Sequence, residues 1–216
     1  MTPGRFITFE GGEGVGKSTQ VARLVAALER AGIATLRTRE PGGSPGADAI
    51  RALLVTGETD RWDAPSELLL HAAARRDHLV RTVWPALAAG RWVVSDRFAD
   101  STMAYQGSGH GLSRLAVATV HGLVAGEFAP DLTLILDLPV AQGLARAAGR
   151  AGAGAETRYE RMDPAFHERL RAGFLDIARR EPRRCAVIDA TAPVEKVATQ
   201  VLATVAERLA VTLADS

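Results

Sequence analysis

Short runs rich in β-branched and aromatic residues alternate along this chain with longer stretches whose apolar residues recur at helical spacing, and that alternation limits the fold more than any other feature. The strand candidates are Phe6–Glu10, Ala34–Thr38, Trp92–Ser95, Leu132–Asp137 and Ala186–Asp189. Between them come Val21, Leu24, Val25 and Leu28, then patterns over 68–87, 115–124, 166–177 and 194–209. Parallel strands need crossover connections, and helices supply them. The expectation is a three-layer α/β/α fold around a five-stranded parallel sheet. At 216 residues the chain is long enough for one well-filled core, read as a single unit over 1–216.

Between the first strand and the first helix lies Gly11-Gly12-Glu13-Gly14-Val15-Gly16-Lys17-Ser18, followed by Thr19. It fits the G-x-x-x-x-G-K-[ST] phosphate loop in spacing and in context. The glycines let backbone N–H groups curl inward at phosphate oxygens, and the helix N-terminus adds partial positive charge. Lys17 reaches the β- and γ-phosphates, and the Ser18 hydroxyl ligates Mg²⁺. Lysine occurs here only at positions 17 and 196. A chain that otherwise uses arginine has kept the thinner, compact cation at this position.

The loop alone does not separate kinases from GTPases or motors, but no base-reading N-K-x-D element is present. Asp96, closing an apolar strand, is the natural carboxylate to hold Mg²⁺ partly through water, with Asp137 as a weaker rival. The 26 basic and 25 acidic residues nearly cancel, so bulk charge gives no case for nucleic acid or an acidic membrane. No run approaches a membrane-spanning length and no export signal is visible. Cys185, the lone cysteine, starts an apolar run and reads as a core residue. A reducing cytoplasm fits.

Three further stretches join the loop: TREPGG (38–43), DRFADSTMAYQG (96–107) and PDLTLILDLP (130–139). In this order and spacing the chain resembles the bacterial thymidylate kinase family from Phe6 to about Val194. The resemblance implies a P-loop kinase fold with a short lid, about 146–159. It also implies γ-phosphoryl transfer from ATP to dTMP with Mg²⁺, and a homodimer. Residue by residue it implies that Glu13 faces the sugar of the monophosphate, that Arg97 and Arg51 clamp the acceptor phosphate, and that Arg39 and Glu40 begin the acceptor loop. Arg75, Thr102 and Gln106 would read the base, and Tyr105 would lie under the sugar. Such enzymes carry a catalytic arginine either in the phosphate loop or in the lid. This loop has none, so a lid arginine is expected: Arg150 first, then Arg146 and Arg158.

Two positions depart from the family pattern. His71 stands where a phenylalanine usually stacks on the base, and it reads either as a smaller stacking ring or as a packed helix residue. Thr157-Arg158-Tyr159-Glu160 replaces an Asp-Arg-aromatic-Glu pattern. Two rivals remain: a kinase on this fold acting on dUMP or a deoxynucleoside, and a nucleotide-binding module that signals with little turnover. His78, His110, His121 and His167 share no ligand spacing.

Overall fold

Five parallel strands run in the order β2-β3-β1-β4-β5: β1 (Phe6–Glu10), β2 (Thr35–Arg39), β3 (Trp92–Asp96), β4 (Leu132–Asp137) and β5 (Cys185–Asp189). The structure, a computed structural model, describes residues 4–149 and 158–213. Phe9 sits opposite Asp96 on one side and Leu134 on the other, so β1 is central and its C-terminal end lies between those of β3 and β4. The strand order reverses at β1, and in open parallel sheets such a crevice beyond the carboxyl ends is where ligands bind.

Helices cover both faces: α1 (Lys17–Arg30), α2 (Pro45–Val55), α3 (Ala64–His78), α4 (Trp84–Ala88), α5 (Ala99–Thr102), α6 (Arg114–Ala125), α7 (Val140–Ala148), α8 (Pro164–Arg180) and α9 (Val194–Leu209). The layering follows from strand alternation. Ile7, Phe9, Leu132, Leu134 and Leu136 pack with Leu24, Leu28, Val201 and Val205 of α1 and α9. Their neighbours Phe6, Val93 and Ile135 face the opposite layer, against Leu79, Val83 and Phe98 or against Phe166, Leu170 and Phe174. The inner strands β1, β3 and β4 are buried on both faces and read as nearly continuous apolar runs, while the edge strand β2 alternates. Cys185 is buried, as expected, and burial pushes its thiol up to about 12.

The strands lie within a residue of their expected limits, but the helices differ in three places. The pattern expected over 68–87 is broken into α3, a π-helical turn over Leu79–Val83, and α4. Pro85 supplies the reason: it has no N–H for the i→i−4 ladder, so the ladder shifts just before it. A second π-helical stretch, Met103–Gly109, continues α5. Helix α2 was not anticipated, because only Ala47, Leu54 and Val55 of it are buried and no apolar stripe marks it. Its signals are instead Ser44 at the N-cap position and Pro45 just inside.

Candidate active site

The loop after β1 turns through three left-handed glycines, Gly11 (φ 130°), Gly14 (φ 67°) and Gly16 (φ 95°), the last of which precedes α1. At Gly14 a side chain is excluded twice over, since a Cβ there would sit 1.9 Å from the carbonyl oxygen of Gly143 in α7. Val15 turns into the core, so it can meet a nucleotide only through its backbone. Lys17 is buried and folds back on the loop, its Nζ donating to the carbonyls of Gly12 at 2.7 Å and Gly11 at 3.2 Å. Burial, aided by the nearby Arg97 charge, lowers its ammonium to about 8, while Glu13, Asp96 and Glu10 resist that shift. Ser18 and Thr19 begin α1 on its exposed side.

Arg97 is the hub. It follows β3 directly and has φ 73°, a left-handed backbone that costs a non-glycine residue roughly 1–2 kcal/mol. Three bonds impose that turn. The Arg97 N–H donates to Phe9 O (2.9 Å), Ser95 Oγ donates to Arg97 O (2.7 Å), and the Phe98 N–H donates to Glu10 Oε1 (2.8 Å). The guanidinium donates to Gly11 O (2.9 Å), Ser101 Oγ (3.0 Å), Glu13 Oε1 (3.0 Å) and Tyr105 Oη (2.9 Å). Tyr105 also donates to Glu13 Oε1 and lies beneath the guanidinium, 5.0 Å from its ring centroid. Burial opposes the charge of Glu13, but Arg97 and Lys17 outweigh it and hold the carboxyl at about 2. The acid inside the phosphate loop is thus kept ionised by its neighbours.

Beyond Arg97 opens a cleft lined by Glu13, Arg51, His71, Arg75, Thr102, Tyr105 and Gln106. Arg75 is buried on α3 and donates through Nε to Glu40 Oε2 (2.9 Å) and through Nη2 to Thr102 Oγ1 (2.8 Å). Glu40 is held in turn by His78 Nδ1 at 2.9 Å, and Thr38 Oγ1 lies 2.7 Å from His78 Nε2. His78, assigned nothing from sequence, orients this chain of contacts. Arg51 Nη1 reaches Pro41 O at 2.8 Å, and Arg39 lies 3.8 Å from Asp48. His71 Nε2 lies 3.0 Å from Tyr159 Oη, and burial takes its imidazole down to about 4, so the ring is neutral at pH 7. Gln106 Nε2 donates to Glu67 Oε1 at 2.6 Å.

The lid candidates separate. Arg150 and Thr157 lie outside the described residues. Arg146, in the last turn of α7, donates to Ala190 O at 3.2 Å. Arg158 departs from expectation: it is fully buried, ion-paired with Glu67, and donates to the carbonyls of Leu54, Glu58 and Thr59. With its guanidinium so occupied, it ties the chain down rather than serving as a mobile cation. Sequence reasoning missed Tyr159 and Glu160 as cleft residues. Tyr159 packs edge-on to Tyr105 with centroids 5.2 Å apart.

Ser18 Oγ donates to Asp96 Oδ2 at 2.7 Å, so the expected hydroxyl and carboxylate meet at the open side of the loop. Asp137, the rival, is spent on Arg171 at 2.7 and 2.9 Å. Among the described residues no group of three or more His, Cys, Asp or Glu could hold a metal. One hydroxyl and one carboxylate suit a hard cation that takes its other ligands from phosphate and water, as Mg²⁺ does. No described helix is long and apolar enough to cross a membrane.

A family model described as thymidylate kinase matches residues 9–201. The thymidylate kinase of Caulobacter vibrioides is 56% identical over 209 residues, covering 97% of this chain and 99% of that protein. That of Rhizorhabdus wittichii is 50% identical, covering 96% and 99%. A crystal structure of thymidylate kinase from Ehrlichia chaffeensis superposes with a TM-score of 0.75 at 35% identity, over 94% of this chain and 99% of that one.

Proposed function

The chain belongs to the thymidylate kinase family, and from that premise we propose how its residues carry out the reaction. The enzyme transfers the γ-phosphoryl group of ATP to dTMP, giving ADP and dTDP. The ATP phosphates lie along the backbone of Gly11–Thr19, where N–H groups and the start of α1 supply positive potential. Lys17 leaves the carbonyls of Gly11 and Gly12 for the β- and γ-phosphate oxygens, exchanging two neutral acceptors for charged ones. Ser18 and Asp96 would hold Mg²⁺, which when bound neutralises phosphate charge.

The acceptor occupies the cleft lined by Arg51, Arg75 and Tyr105. Arg97 and Arg51 grip its phosphate, Glu13 accepts from the sugar 3′-hydroxyl, and Tyr105 closes the space beneath the sugar. Arg75, held flat by Glu40 and Thr102, donates to a thymine carbonyl, with Thr102 and Gln106 along the same edge. His71, as a neutral ring, offers a smaller stacking surface than phenylalanine. Catalysis is alignment plus electrostatic stabilisation, with no covalent intermediate.

The observation that carries this reading is the double attachment of Arg97, which donates at once to Gly11 O in the donor loop and to Glu13 and Tyr105 in the acceptor cleft. A single guanidinium therefore stands where the phosphoryl group must pass. The test is ADP release with ATP, Mg²⁺ and a panel of acceptors. dTMP should turn over fastest, and faster reaction of thymidine or dCMP would sink the acceptor assignment. We also propose that the enzyme works in the cytoplasm as a homodimer. The exposed Leu69, Leu115 and Leu123 on α3 and α6 support self-association.

A further inference from the structure

Glu67, one turn into α3, is fully buried, and it is no part of the machinery described above. Its Oε1 accepts from Gln106 Nε2 at 2.6 Å and lies 3.3 Å from His110 Nε2, while its Oε2 accepts from Arg158 Nη1. Arg158 in turn donates through Nε to Glu58 O (3.0 Å) and through Nη2 to Thr59 O (2.9 Å), so the carboxylate is held at both oxygens. The partner amide is unbalanced: Gln106 Oε1 is buried and makes no hydrogen bond among the described residues. Gln106 lines the acceptor cleft beside Arg75, Thr102 and His71.

We propose that Glu67 is a positioning residue for base selectivity. Its carboxylate fixes the Gln106 amide with the nitrogen turned away from the substrate, leaving Oε1 to accept from the ring N–H that thymine and uracil carry and cytosine lacks. This rests on the reading of the cleft as a pyrimidine monophosphate site.

The orientation follows from donor and acceptor chemistry. An ionised carboxylate offers only acceptors, so the end of the amide facing it must be the NH₂. Glu67 is ionised: burial pushes its carboxyl upward, but His110 and Arg158 outweigh that and hold it at about 2. A side-chain amide has nearly the same shape when turned by half a rotation. Without a fixed partner, Gln106 could therefore present NH₂ to the unprotonated ring nitrogen of cytosine as readily as oxygen to thymine. A carbonyl left unpaired in the free enzyme gains its bond only from the correct base, and the wrong base leaves two acceptors facing each other.

The test compares wild type with Glu67→Gln, using dUMP against dCMP because these differ only along the edge in question. Calorimetric binding and kcat/KM are measured for both, with dTMP turnover as the reference and near-ultraviolet circular dichroism as the check of fold. A glutamine at 67 can face either end of the Gln106 amide. The expected result is a fall in the dUMP-to-dCMP ratio by roughly tenfold or more, seen mainly in KM and binding, while kcat on saturating dTMP changes only a few-fold. An unchanged ratio overturns the proposal, and so does a uniform loss of kcat on all three acceptors. If Glu67→Gln does not fold, Glu67→Asp asks the same question, since it keeps a charge near Arg158 and withdraws the carboxylate from Gln106. A wild-type enzyme that does not turn over dTMP would sink the acceptor assignment instead, so the two failures are distinguishable.

Discussion

Two buried titrating groups beside the phosphate loop tie ATP binding and stability to pH. Lys17 carries its proton below about 8 in the free protein. Phosphate oxygens favour the charged amine, so ATP binding raises that value, and above pH 8 binding must draw a proton from solvent. Calorimetry at pH 8.5 in buffers of different ionisation enthalpy should show proton uptake, and KM for ATP should climb above pH 8. No uptake would mean that the amine was already charged. Lys17→Ala should abolish turnover with the fold kept. Glu10, at the end of β1, is raised to about 8, first by burial and then by the charge of Asp100, against the bonds from Ser101 and Phe98. The sign follows from proton counting: between pH 4.5 and 8 the folded chain holds a proton that the unfolded chain has lost, so stability falls as pH rises through that window. Glu10→Gln removes this titration while its oxygen still accepts from Phe98 N. Urea midpoints should decline from pH 5 to 8 in wild type and not in the variant, apart from changes common to both.

At the scale of elements, the phosphate loop meets α7 backbone to backbone. A Cβ on Gly143 would lie 2.5 Å from Glu13 O, and one on Gly14 even closer to Gly143 O. Gly14→Ala meets a backbone clash and a left-handed φ together, and should cost about 2–4 kcal/mol of stability and weaken ATP binding. Thermal unfolding with and without ATP measures both; a variant as stable as wild type would show that loop and helix part easily. Much of this arrangement was legible beforehand. The glycine spacing marked the loop, strand periodicity marked the sheet to within a residue, and the DRFADSTMAYQG stretch pointed to Arg97, Thr102, Tyr105 and Gln106, which do line one cleft with Glu13. What stayed hidden were contacts with no local signature. Arg158 and Glu67 are 91 positions apart; the sequence offered Arg158 only as a lid arginine and gave no sign of Glu67, and burial brings the two together. Helix α2 hid because a helix buried at few positions shows no stripe.

For the whole molecule, the question is what covers the outer face of α3 and α6. Leu69 is 59% exposed, Leu115 77% and Leu123 84%, and the last two stand eight residues apart on α6, a little over two turns. Three leucines left to water on adjoining helices suit a second copy of the chain. Leu123→Glu should lower the sedimentation coefficient from that of a dimer to that of a monomer at micromolar concentration. A wild-type monomer under the same conditions would end the dimer reading. Because α3 also carries Glu67, His71 and Arg75, association through this helix would stiffen the base-reading wall, and the variant's KM for dTMP should rise.

With its ammonium already satisfied by two carbonyls of its own chain, Lys17 offers little to a small passing anion, which would have to displace both for a single contact. A triphosphate, touching many N–H groups along the loop, can outbid them. Sulfate and orthophosphate should therefore be weak competitors of ATP here, and the cradle has a built-in indifference to the simple salts around it.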